Sequence, residues 1–155
     1  MSDKLDKQIA VTREELNLLF ESFRSLLAEV SGGKEPSLVE VSALGGVLHS
    51  FYTGAENIFK RIAVLVDGGA PRGQKWHTEL LGAMAVPTEN RPPVISEGMH
   101  QQLSKYLDFR HFFRHGYTYA LEWPLMAPLV LACEQTFRAL EAELDEFLKA
   151  RNSGN

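Results

Sequence analysis

Apolar residues recur along the chain at spacings of three and four, the period of an amphipathic helix, and no stretch alternates in the manner of a strand. Thr12 with Glu15 has the form of a capping box, and Leu16, Leu19, Phe20, Phe23, Leu26, Leu27 and Val30 continue from it as one stripe. A first helix is expected from Thr12 to the break at Ser31-Gly32-Gly33, with residues 1–11 as a flexible lead. A second helix is expected from near Pro36, a residue suited to a first helical turn. Its stripe is Val41, Leu44, Leu48, Phe51 or Tyr52, Ala55, Phe59, Ile62 and Val66, and Gly68-Gly69 with Pro71 ends it. About 30 residues at 1.5 Å each give roughly 45 Å. Gly45, Gly46 and Gly54 inside it imply either close packing of a neighbour or a kink.

A short helix is expected over Trp76–Ala85, followed by a loop, 86–95, carrying Pro87, Pro92 and Pro93. Ser96 is placed to cap a fourth helix reaching about His115. In the last segment Met126, Val130, Cys133, Phe137, Leu140, Leu144 and Phe147 alternate four and three apart, a heptad seam for packing along another long helix. Pro128 would cost a hydrogen bond if that helix started at Pro124, so the expected start is nearer 126. The last residues, 151–155, are expected to fray. The sum is an all-α bundle of four long helices and one short one, a single domain at 155 residues.

Composition narrows the function classes. Sixteen Lys and Arg against twenty Asp and Glu leave a net charge of −4, so basic character must be local. The single cysteine, Cys133, excludes an intrachain disulfide and every multi-cysteine metal motif. The first residues lack an apolar leader core, and no stretch approaches about 18 uncharged apolar residues. No membrane association and a cytoplasmic location are expected.

One stretch departs from this ordinary background. Residues 106–119, YLDFRHFFRHGYTY, hold two arginines, two histidines, three phenylalanines and three tyrosines. Over 100–119, Lys105, Arg110 and Arg114 against Asp108 give a local charge of +2. Arg110 and Arg114 share a stripe with Leu103, Tyr106, Leu107, Phe113 and Tyr117. A guanidinium on a core-facing stripe needs a partner. That partner is either a carboxylate on a neighbouring helix or an anion such as phosphate, which the planar fork fits in bidentate fashion. His115 before Gly116 reads as a helix C-terminus, with Gly116 expected in the left-handed conformation. A histidine there is either a simple cap or a proton donor favoured by the helix dipole. His111 and His115 also have metal-ligand spacing, but two adjacent arginines would repel a cation. Cys133 sits on the heptad seam as core, and His49 and His77 read as structural.

The run Arg110-His111-Phe112-Phe113-Arg114-His115-Gly116-Tyr117 resembles the R-x4-H-x-Y motif of HEPN domains, most closely the HepT-like family. The segment 67–81, DGGAPRGQKWHTELL, also looks like HepT-like relatives. The resemblance spans residues 12–150, as a HEPN-like up-and-down bundle. It implies a metal-independent endoribonuclease toxin with no cofactor, acting as a homodimer on RNA. It implies a partner antitoxin, a nucleotidyltransferase of the MNT type, able to transfer AMP to the motif tyrosine, here Tyr117. Arg110 and His115 become the expected catalytic residues, and His111 and Arg114 the supporting or RNA-binding ones. The alternative is a non-catalytic HEPN module that binds a nucleotidyltransferase or a nucleotide. Arg110 and His115 stand about 140° apart around a helix and 7.5 Å along it, so a two-fold axis is the expected way to gather them around one cleft.

Overall fold

The computed structural model describes residues 2–117 and 120–153, with the side chains of residues 2 and 3 left aside. Tyr119 of the basic aromatic stretch and residues 154 and 155 of the expected frayed tail lie outside them. The described chain is helical: α1 (Ser2–Ser22), α2 (Arg24–Ser31), α3 (Leu38–Leu65), α4 (Trp76–Met84), α5 (Glu97–His115) and α6 (Trp123–Ser153). The all-α bundle is as expected, with α1, α3, α5 and α6 as its long members.

α3 is the central element and packs against α1, α4, α5 and α6. Every residue of its expected stripe is buried, Val66 at its C-cap included. Its start belongs to Ser37 rather than Pro36. The Ser37 hydroxyl accepts from the Glu40 N–H at 3.2 Å, and the Glu40 carboxylate accepts from the Ser37 N–H at 2.9 Å. This is the reciprocal capping box of a Ser-x-x-Glu sequence. The box expected at Thr12 and Glu15 does not form, because both lie inside α1. That helix starts at Ser2 instead. Leu5 and Ile9, both essentially fully buried, carry the apolar stripe of Leu16 and Phe20 back two more turns.

The first helical run is also broken at Phe23 (φ −108°, ψ 15°), which the apolar periodicity alone did not reveal. The break lays α2 against α6, where Arg24 donates to Glu134 at 2.8 and 3.0 Å and Val30 is buried. The glycines of α3 serve close packing. A Cβ on Gly54 would stand 2.7 Å from Leu16 Cδ2, and one on Gly45 2.8 Å from Phe113 Cε1, while Gly46 faces open space.

α4, the following loop and the Ser96 cap lie where expected, the Ser96 hydroxyl accepting from Met99 N–H at 3.1 Å. The loop is held by Arg91, which is 5% exposed. Its guanidinium pairs with Asp67 at 2.8 and 2.9 Å and donates to the carbonyls of Ala83, Val86 and Pro92. α6 begins at Trp123, earlier than expected, with Pro128 inside it. Pro124 occupies the first turn, where a missing N–H costs nothing. Pro128 forgoes one helical hydrogen bond, while Met126 beside it is buried. The entire heptad seam, Met126 to Phe147, faces the core. The C-terminal end remains helical through Ser153, beyond the expected fraying point.

Candidate functional site

Residues 106–115 of the basic aromatic stretch form nearly the last three turns of α5, and Gly116 and Tyr117 follow it. Its faces divide sharply. Arg110 points inward and is 5% exposed, whereas His111, Arg114, His115 and Tyr117 are exposed. Phe113 packs into the space left by Gly45, and its ring centroid lies 5.6 Å from that of His49. Phe112 remains half exposed on the opposite flank.

Arg110 is closed by a carboxylate on a neighbouring helix, the first of the two partners its position allowed. Nη1 donates to Glu56 Oε1 at 3.0 Å and Nη2 to Glu56 Oε2 at 2.9 Å. Nη1 also reaches Thr53 Oγ1 at 3.3 Å. The Tyr52 ring lies 5.1 Å from the Arg110 guanidinium carbon. Glu56 itself is 5% exposed, so each charge depends on the other in a water-poor setting.

His77, from the first turn of α4, completes the cluster. Its Nδ1 lies 2.8 Å from Glu56 Oε2 and 2.8 Å from Arg110 Nη2. Trp76 stacks beside its ring at 3.6 Å between centroids, and Lys60 Nζ stands 4.4 Å from the Trp76 ring. Neither Glu56 nor His77 was singled out as functional from sequence. Glu56 carried a usable signal, since an acid between Tyr52 and Phe59 on an apolar stripe is the complement of an arginine on another stripe. His77 carried none beyond its neighbour Trp76.

An open cleft of about 370 Å³ lies over this cluster. The start of α4 forms one wall, through Lys75, His77 and Thr78, and α5 the other, through Asp108, Arg110, His111, Arg114 and His115. Arg110 and His115 therefore border one cleft of one chain, with Arg110 at the floor and His115 at the rim. The His111 and His115 rings stand 4.6 Å apart. Among the described residues no group of three or more His, Cys, Asp or Glu is placed to hold a metal ion. Arg114 forms no ion pair among the described residues and is the exposed guanidinium of the cleft.

Gly116 is extended (φ −106°, ψ 172°) rather than left-handed, and its N–H donates to Phe112 carbonyl oxygen at 2.8 Å. The chain thus leaves α5 straight, and Tyr117 follows it at 71% exposed. Burial pushes the Cys133 thiol far up, as fits a core residue. Burial lowers the His49 pKa, and the charges of Arg110 and Arg114 lower it further.

The family model described as HepT-like protein matches residues 43–151, from the second turn of α3 through nearly all of α6. The chain belongs to the HepT-like family. The match spans every element of the HepT-like cleft: Glu56, the α4 start and the end of α5. No curated protein and no solved structure matches the chain significantly. Among the described residues of this HepT-like chain, no helix is long and apolar enough to cross a membrane.

Proposed function

We propose that this HepT-like protein is a metal-independent endoribonuclease toxin of a HEPN/MNT toxin–antitoxin pair. The observation that carries the reading is the cleft in which Arg114, His111 and His115 stand exposed above a buried Arg110. The reaction is attack by an RNA 2′-hydroxyl on the adjacent phosphate, giving a 2′,3′-cyclic phosphate and a 5′-hydroxyl. His115 takes part in proton transfer at the rim, and His111 lies beside it to orient it. Arg114 meets the phosphate, having no competing carboxylate among the described residues. Arg110, expected as the direct stabiliser of transition-state charge, has its outer nitrogens engaged by Glu56, so it acts from the floor by fixing the cluster. The working unit is a homodimer, and the exposed Phe112 and Leu125, which line a separate apolar groove between α5 and the start of α6, supply apolar surface for it.

The partner is an MNT-type nucleotidyltransferase, and its target is Tyr117. The exposure of Tyr117, three residues beyond Arg114 and past the end of α5, supports modification there. An AMP group would bring negative charge to the rim beside Arg114 and block access of RNA. The test is cleavage of RNA in EDTA by the wild type and by His115→Ala, with intact mass after co-expression with the adjacent gene product. A second reading, a non-catalytic module that binds a nucleotide or a nucleotidyltransferase, draws support from the Glu56–Arg110 closure. Growth arrest that survives His115→Ala favours that second reading.

A further inference from the structure

Arg13, Arg24, Lys34, Arg91, Arg110 and Arg138 are neutralised where they stand, each by a carboxylate. The groove along the seam of α1 and α3 is built differently. Its volume is about 400 Å³, and it is lined by Lys4 from α1 and by Asn57, Lys60 and Arg61 from α3. No Asp or Glu lines it. Lys4, Lys60 and Arg61 are exposed and form no ion pair among the described residues. Three like charges around one hollow repel one another, and an anion placed among them relieves that repulsion.

The groove is joined to the cleft. Lys60 Nζ lies 4.4 Å from the centre of the Trp76 ring, and Trp76 stacks beside His77, which lines the cleft next to the exposed Lys75. Trp76 thereby holds the Lys60 ammonium at the border between the two hollows. The cleft, at about 370 Å³, is at the small end of ligand sites. A strand that enters it must leave over one of its walls. The way over the start of α4 leads from Arg114 and Lys75 past Lys60 to Arg61 and Lys4. The other flank of α5 leads from Asp108 to the apolar groove at Phe112, which sets two carboxylates, Asp108 and Glu122, against one cation, Lys105.

We propose that the α1–α3 groove is a second RNA subsite, in which Lys4, Lys60 and Arg61 take phosphates of the strand whose scissile bond lies in the cleft. This rests on the ribonuclease reading and names the surface that holds the substrate outside the cleft. The contacts are to the backbone, so the subsite adds affinity without sequence preference.

The test is the triple variant Lys4→Gln, Lys60→Gln, Arg61→Gln, titrated with 2′-O-methyl RNA, which lacks the attacking hydroxyl and stays intact. A strand of about 12 nucleotides, within the footprint of known single-strand sites, is compared with a dinucleotide confined to the cleft. The three side chains are exposed, so the melting temperature should match that of the wild type. Should it fall, Arg61→Gln alone carries the comparison at about one third of the effect. On the long strand, the plot of log affinity against log salt should flatten by about 2, the share of three single-strand phosphate contacts. The dinucleotide should bind the variant and the wild type alike. An unchanged slope on the long strand overturns the subsite, and so do equal losses on the two lengths, which mark a general loss of positive charge. Wild-type cleavage of unmodified RNA, measured alongside, leaves the ribonuclease reading standing in either case. Wild-type protein that neither binds the long strand nor cleaves unmodified RNA overturns both.

Discussion

Glu56 and Arg110, 54 positions apart in the chain, meet through two parallel hydrogen bonds of 3.0 and 2.9 Å, each side chain only 6% exposed. The pair ties the middle of α3 to the end of α5 beneath the cleft. Its geometry determines what each partner does when the other is removed.

Glu56→Ala leaves a guanidinium buried without a counter-charge. Breaking a buried pair from one side costs about 3–5 kcal/mol, so the variant should unfold at a markedly lower urea concentration. Glu56→Leu combined with Arg110→Met should recover most of that loss, because neither charge is then stranded.

Arg114→Ala should act on binding and not on stability. The side chain is exposed and unpaired among the described residues, so the melting temperature should hold. Affinity for single-stranded RNA should fall. The plot of log affinity against log salt should flatten by about 0.7, the share of one phosphate contact. An unchanged slope would place the phosphate elsewhere.

The glycines of α3 should separate by what stands over them. Gly46→Ala fills open space and removes the flexibility cost of a helical glycine, so it should stabilise by about 0.5–1 kcal/mol. Gly54→Ala drives a methyl group into Leu16 and should destabilise by about 1–3 kcal/mol despite the same gain in helix propensity. Urea titration of the two single variants checks both signs.

His49 predicts a pH dependence. Its folded-state pKa is depressed, first by burial and then by Arg110 and Arg114, so the unfolded chain binds its proton more readily. The stability it contributes is complete above its ordinary value of 6.5 and is lost as pH falls from there through the lower folded value. In His49→Gln, the fall in stability below about pH 6.5 should be shallower.

The bundle was legible in sequence wherever burial follows a clean period. The seam from Met126 to Phe147 and the stripe of α3 became core residue for residue. What was missed involves competition between local signals. Thr12 with Glu15 and Ser37 with Glu40 carry the same capping pattern, and only burial of Leu5 and Ile9 reveals that the first lies mid-helix. Proline at 128 argued for a later start to α6, but one lost hydrogen bond weighs less than a buried turn around Met126. At the site, the sequence placed Arg110, His111, Arg114 and His115 together on α5. It did not bring in Glu56 and His77, because their convergence depends on how α3 and α4 pack against α5, which no local pattern encodes.

The most direct test is cleavage of single-stranded RNA by the purified protein in EDTA, wild type beside His115→Ala. The wild type should release fragments ending in a 2′,3′-cyclic phosphate, and the variant none above background. Equal cleavage by the two proteins, or no cleavage by the wild type, would contradict the ribonuclease reading.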